Sequence, residues 1–411
     1  MRRKTRETSR KKYYQLIFAA VIIVLLLIIF YSTKHNASTG SNNSNLTKSV
    51  ASTNNSKKTI KLIATGDFVF HDSVNVNAKQ SNDTYNYSPY YTDFTSIFKA
   101  ADIRFCNQVT PVGGEQFGIS GYPKFNAPLS AVDDMAGLGC NLINMASNHS
   151  FDNSQDAINA NVAEWAKQPN ILAAAGQNRS SIEHDTVHYF TVKGVKFAFL
   201  AYTTYINTDA PATNDYGVNV YSRSFATQQI NDAKQNGAQI IIVSMRWGTE
   251  YSSDVTSEQL SESQFLADQG VTVVLGHGSH VLEPVTTLTG INGNHTLVWY
   301  SLGNFLNSQT EPEALFNGLA VINFDISSKG IQNVSYLPLY MHYEWTQQQS
   351  NSQDLLARHN LHLYLLENTN QSMIDSQQLA TSVPAQTSRI TKILSTEQTV
   401  PLINSKQYYS Q

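Results

Sequence analysis

The stretch Asn141–Asp152, NLINMASNHSFD, decides how this chain is read. A short apolar run that stops at small residues and is followed at once by Asn148-His149 reads as a buried strand delivering two side chains to its C-terminal edge, where α/β folds concentrate their chemistry. Asn148 offers an amide oxygen and His149 an imidazole, groups that ligate divalent metals or pass a proton to a leaving group. The plain alternative is a strand-end Asn starting a turn beside a hydrogen-bonded His, and the local sequence favours it. The other strand ends shift the balance.

Upstream, Thr59–Ala64 (TIKLIA) reads as a strand that ends in Gly66-Asp67, with His71 four residues on. A glycine permits the sharp turn and the aspartate presents a carboxylate, so Asp67 and His71 could share one ion; otherwise Asp67 caps a turn and His71 lies on the surface. Ala101–Cys106 is a second strand that delivers Asn107, and Ser130–Leu138 is a helix stopped by Gly139. Downstream, Asp152–Lys167 has helical spacing with Ile158, Val162 and Trp165 as its buried stripe. Val187–Val192 and Val195–Tyr202 flank Lys193-Gly194 and form a hairpin. Gln239–Met245 is strongly apolar and leads into Arg246, Trp247 and Glu250; Val271–Leu275 leads into His277, Gly278 and His280; Leu297–Tyr300 leads into Asn304. Strand and helix in alternation, with an antiparallel addition, predict a layered α/β/α domain. Strand after strand ends in Asp, His or Asn, and placing these ends on one rim of one sheet makes a shared site.

The N-terminus is of another kind. Arg2, Arg3, Lys4, Arg6, Arg10, Lys11 and Lys12 form a basic tail (residues 1–12) before an uncharged run, Tyr13–Tyr31, bounded by tyrosines. That length suits a helix crossing a membrane, with the tail in the cytoplasm and the rest outside. A cleaved signal peptide is the alternative, but the run is long and bulky to its end. Residues 32–58 are Ser-, Asn- and Thr-rich and read as a flexible linker. A net charge of −3 without basic runs beyond the tail argues against nucleic acid as partner. Cys106 and Cys140 are too few for a disulfide framework and read as small buried hydrophobes. From residue 341 to 411 the chain turns polar and reads as an extension, with helical spacing in Leu355–Leu366 and Thr387–Leu394 and a mobile end from Val400.

The motifs Gly66-Asp67-Phe68-Val69-Phe70-His71, Asn107-Gln108, Tyr122-Pro123-Lys124-Phe125-Asn126-Ala127-Pro128, Ala146-Ser147-Asn148-His149-Ser150-Phe151-Asp152, Trp247-Gly248-Thr249-Glu250-Tyr251, His280-Val281 and Tyr300-Ser301-Leu302-Gly303-Asn304-Phe305 resemble, in order, those of the CapA family of poly-gamma-glutamate capsule biosynthesis. The resemblance implies a calcineurin-like metallophosphatase fold, a four-layer α/β/β/α sandwich over residues 59–340, preceded by one transmembrane helix. It also implies a two-metal site on the strand rim, in which paired cations hold an oxygen and activate a water. Asp67, His71, Asn148 and His280 take the ligand positions, and His149 with Asp152 the acid–base positions. Asn107, Arg246, Glu250, His277 and Asn304 fall around the same cleft.

Against the family pattern three ligand positions are replaced. Val109 stands where a bridging Glu is implied, Arg246 where a His is, and Gly278 where another His is; His277 is displaced by one residue and on a strand points the other way. Valine cannot ligate, and arginine puts a permanent positive charge where a cation belongs. Arg246 salt-bridged to Asp67 would fill the vacated position. Two functional readings follow. One is a membrane-anchored, extracytoplasmic component of surface-polymer synthesis or export that binds without turnover, its partners being an anionic surface polymer or the membrane proteins that make it. The other is a hydrolase of phosphoester or amide bonds retaining one divalent metal (Mn, Zn or Fe) on Asp67, His71 and His280. A wall-associated adhesion module is a third reading, supported only by the linker and the low charge.

Overall fold

The computed structural model describes residues 59–208 and 215–411. The basic tail, the expected membrane helix at 13–31 and the linker at 32–58 lie outside the described residues; among the described residues no helix is long and apolar enough to cross a membrane.

Two sheets organise the chain. In the first, β1 (Thr59–Phe68) sits centrally between antiparallel β12 (Phe316–Asp325) and parallel β2 (Ile103–Gln108). Beyond β2 come β3 (Leu142–Asn144) and β4 (Ala173–Ala175), both parallel; beyond β12 come β13 (Ile331–Glu344) and β14 (His359–Leu365), both antiparallel. A short β11 (Asn304–Leu306) pairs with the end of β1. The second sheet runs β5 (His188–Val192), β6 (Val195–Thr203), β7 (Ile240–Arg246), β8 (Val273–His277), β10 (His295–Trp299), β9 (Val285–Thr289). Its β5–β6 hairpin turns at Lys193-Gly194, both with positive φ, as a two-residue turn matching the strand twist requires.

Side-chain alternation builds the layers. Phe197, Phe199, Ile240, Ile242, Val273 and Leu275 share one core with Ile60, Leu62, Phe105 and Ile322 of the first sheet. Their strand neighbours Ala198, Leu200, Ile241, Val243 and Val274 pack instead on Ala226, Ile230 and Ala233 of the helix Arg223–Gln235 and Leu266 of the helix Ser257–Asp268. The period of two thus sends one face of the second sheet to the first sheet and the other to helices. On the first sheet the helices Thr95–Lys99 and Ser130–Leu138 contribute Ile97, Phe98, Val132 and Met135 to the core, giving the expected α/β/β/α order. The strand ends that carry chemistry therefore belong to two facing sheets and not to one rim.

Four further expectations are corrected. Cys106 and Cys140 are not separate hydrophobes: they form a disulfide joining β2 to the residue two before β3. Leu355–Leu366 is largely β14, because His359–Leu365 alternates and buries Leu361 and Leu363 against β13, an edge pairing that overrides the weak helical spacing. The polar segment after residue 340 is not a separate extension, since β13 runs through that boundary. The chain end is docked: Tyr336 pairs with Pro401 and Ile403, and in the helix Ser405–Ser410 the buried Tyr408 donates to the Ile97 carbonyl at 2.6 Å while Lys61 Nζ donates to the Tyr408 carbonyl at 2.8 Å. The helix expected at Thr387–Leu394 is present within Val383–Ile393.

Candidate functional site

The C-terminal ends of β1, β2, β3, β7 and β8 converge on a cleft of about 520 Å³. His71, Asn148, His149, Asp152, Glu250 and His280 line it; Asp67, Asn107, Arg246, His277 and Asn304 lie behind its lining, all nearly or fully buried. The sequence-derived set is thereby brought together, in two shells.

Asp67 is the centre of the floor. It reaches its place because Gly66 lets β1 run against Gly303, whose carbonyl oxygen would stand 2.0 Å from any added Cβ. Asn107 Nδ2 donates to Asp67 Oδ1 at 2.6 Å, and Asn144 Nδ2 donates to Asn107 Oδ1 at 2.5 Å. His280 Nδ1 stands 2.8 Å from Asp67 Oδ2, but its N–H is better directed to Asn304 Oδ1 at 3.0 Å, so Asp67 Oδ2 has the charge contact without a well-aligned hydrogen bond. Burial alone would lower the His280 pKa; its contact with Asp67 and the charges of Asp67 and Glu250 outweigh burial and raise it. His277 does not point away. Its Nδ1 lies 3.9 Å from Asp67 Oδ1, its Nε2 3.1 Å from Ser244 Oγ and its ring is stacked on Phe105, and burial takes its pKa down to about 4.

The wall is made by the turn after β3. Asp152 is not the start of a helix: the helix Gln155–Lys167 begins after Ser154, which caps the Ala157 N–H, and Asp152 sits in the turn, accepting from Phe125 N–H at 2.8 Å and facing His149 Nδ1 at 2.7 Å. A carboxylate held on that ring nitrogen fixes the imidazole and leaves Nε2 for other contacts. Phe125 packs edge-on against His149 and His71. His71 accepts the Ser308 N–H on Nδ1 at 3.3 Å, and burial, with the nearby charges of Arg358, His280 and His149, lowers its pKa to about 3.

Arg246 is not paired with Asp67. Its Nη2 donates to Glu250 Oε1 at 3.0 Å, its Nε donates to Asn148 Oδ1 at 3.1 Å, and its guanidinium stacks over Tyr205 at 4.5 Å. The Glu250 partner was hidden in the sequence because only the turn Trp247–Tyr251 folds it back onto β7. At the other replaced positions, Val109 packs with Val69 and Phe125 as an apolar patch in the cleft, and Gly278 has φ +108° with Trp247 O only 2.7 Å and Arg246 Nε 3.0 Å from an added Cβ. Among the described residues no group of three or more His, Cys, Asp or Glu is placed to hold a metal ion.

Sequence reasoning missed Asn207. Its N–H donates to the Asn148 carbonyl at 2.8 Å, and its Nδ2 lies 3.4 Å from both ring nitrogens of His149. Nothing around it marks it, since it comes from an irregular loop after β6. Gln309 and Tyr251 were also missed as a pair, hydrogen-bonded at 2.9 Å on the cleft rim.

The family model described as bacterial capsule synthesis protein PGA_cap matches residues 61–309. Two curated relatives are the PGA biosynthesis protein CapA of Bacillus subtilis (strain 168), 28% identical over 202 residues covering 49% of this chain and 51% of that protein, and the capsule biosynthesis protein CapA of Bacillus anthracis, 26% identical over 215 residues covering 49% and 50%. The chain spans about half the length of these relatives. Similar solved structures include a phosphatase from Mycoplasma pneumoniae (TM-score 0.42, 13% identity, 68% of this chain and 93% of that one) and the calcineurin-like phosphoesterase YfkN of Bacillus subtilis (TM-score 0.37, 14%, 68% and 90%). No residue role follows from likenesses of this level.

Proposed function

The chain belongs to the bacterial capsule synthesis protein family PGA_cap, and from that premise we propose that it is a membrane-anchored, extracytoplasmic component of surface-polymer synthesis or export, of the poly-gamma-glutamate type, which binds and does not turn over. The observation that carries the binding reading is the Arg246 guanidinium, which sits on Asn148 Oδ1 and Glu250. A metal ligand whose oxygen already accepts from a buried guanidinium is not free for a cation, and the guanidinium repels one. With Val109 in an apolar patch and Asp67 engaged by Asn107 and His280, the donor set does not fit a two-metal centre. We therefore read the centre as degenerate and derive no metal-dependent step. The uncharged run Tyr13–Tyr31 behind a basic tail supports the anchor, and the Cys106–Cys140 disulfide supports maturation in an oxidising compartment outside the cytoplasm.

The second reading, a hydrolase with a reduced site, draws on one observation: the His149–Asp152 pair lines the cleft with Nε2 left for proton transfer. Deletion of the gene and complementation separate the two. Deletion is expected to abolish surface polymer, and His149→Ala, which would disable proton transfer, is expected to restore it. Polymer unchanged by deletion contradicts the proposed role; polymer lost in the folded His149→Ala strain favours the hydrolase.

A further inference from the structure

We propose that the cleft presents hydrogen-bond donors where a metal site would present lone pairs, and that it captures a carboxylate group without a metal. The inference rests on the polymer-binding reading above and assigns the atoms that perform it.

Arginine has no acceptor, so the Asn148 atom 3.1 Å from Arg246 Nε is the amide oxygen, and Ser147 Oγ donates to the same oxygen at 3.2 Å. The amide is thus oriented with its oxygen turned to the protein. Its Nδ2 faces the other way, making one long contact of 3.3 Å to Asn207 Oδ1 and keeping its second N–H spare. The same reversal holds at His71. A backbone N–H can only donate, so the Ser308 N–H on Nδ1 places the ring proton on Nε2 of a residue that lines the cleft. Two side chains that would offer lone pairs to a cation therefore offer N–H groups to the cleft. Lys124, exposed on the cleft lining, adds an ammonium.

The acids that line the cleft are already engaged. Asp152 is held by His149 and the Phe125 N–H, Glu250 by Arg246. What remains unpaired is donor character with one obligate cation, Lys124. That balance suits a planar carboxylate monoanion, which takes two N–H donors side by side; a phosphate carrying closer to two negative charges would face Asp152 and Glu250 with too little compensation. Val69, Val109 and Phe125 form an apolar wall on which the methylenes beside such a carboxylate would pack.

The test is calorimetric titration of the full-length chain in detergent micelles with a γ-linked glutamate oligomer, in chelator and in added Mn²⁺ or Zn²⁺. Binding is expected to be the same with and without chelator. Asn148→Asp keeps an oxygen for Arg246 and replaces the spare N–H by a carboxylate oxygen, so it is expected to weaken binding about tenfold or more, with a melting curve reporting the fold. His71→Phe removes the other donor while keeping a ring against Phe125, and is expected to weaken binding roughly threefold to tenfold, which keeps the test sharp if Asn148→Asp misfolds. Binding that requires added metal, binding unchanged in both folded variants, no binding of the oligomer, or inorganic phosphate binding more tightly than the oligomer would each overturn the inference. Loss of polymer on gene deletion would still stand in those cases, so failure here is distinguishable from failure of the proposed role.

Discussion

The two sheets contribute to the cleft in opposite ways. On the proposed reading the first sheet keeps three of the expected ligand positions, Asp67, His71 and Asn148, at its strand ends and loses one, Val109, just past β2. The second sheet, where Arg246 and Gly278 replace ligands, keeps only His280, and it supplies the partners that occupy the first sheet's groups, Arg246 on Asn148 and His280 on Asp67. A ligand set can thus persist in sequence while its lone pairs are spent inside the protein. Residue identity at a strand end does not fix which way its hydrogen bonds run.

The largest expected effect separates the sheets. The disulfide lies under the first sheet's half of the site, between Cys106, next to Asn107, and Cys140, at a sequence separation of 34. Replacing both by Ala is expected to cost about 4 kcal/mol of stability by loop-closure entropy, read by denaturant unfolding with and without reductant, and in native-state hydrogen exchange to loosen β2 and β3 before β7 and β8. Next comes Asp67→Ala, which leaves the Asn107 amide without its acceptor and His280 without its charge partner on a buried floor and is expected to cost about 3 kcal/mol; a change below about 1 kcal/mol would mean that the two sheets are not tied through Asp67.

A pH-dependent effect belongs to the second sheet. Burial raises the pKa of Glu283 to about 8 against the hydrogen bond from Gln259 Nε2 at 2.5 Å. The folded state therefore holds a proton that the unfolded state has released above the ordinary carboxylate value. Its stabilisation is complete below that ordinary value and is lost as pH rises through about 8, with a slope of up to about 1.4 kcal/mol per pH unit. Glu283→Gln should match the natural chain at pH 5 and melt higher than it at pH 9. Equal melting curves at both pH values would place the group in water. The smallest effect is expected for Glu250→Gln. Its side chain is 42% exposed, so loss of the ion pair should cost no more than about 1 kcal/mol.

Much of this was legible in the sequence. Thr59–Ala64, Gln239–Met245 and Val271–Leu275 read as strands because they are continuous apolar runs, and all three form. The motifs around Asp67, Asn148 and Trp247 located the cleft, and Val109, Arg246 and Gly278 marked where it departs from the family pattern. What stayed hidden depended on distance across the fold. Cys106 and Cys140 meet only because β2 and β3 are neighbours in register, with Cys106 opposite Ile143. The partner of Arg246 is set by the turn that folds Glu250 back, and that of His277 by Phe105 and Ser244 on other strands. The β14 strand needed β13 to be recognised, and Asn207 lies in an irregular loop with no periodic signal.

The central claim, that Arg246 and its partners replace a metal centre, is tested most directly by elemental mass spectrometry of the purified full-length chain after exposure to Mn, Zn and Fe. The account predicts no stoichiometric metal in the folded natural chain. One or two ions per chain, lost on Asp67→Ala, would contradict it and restore the hydrolase reading.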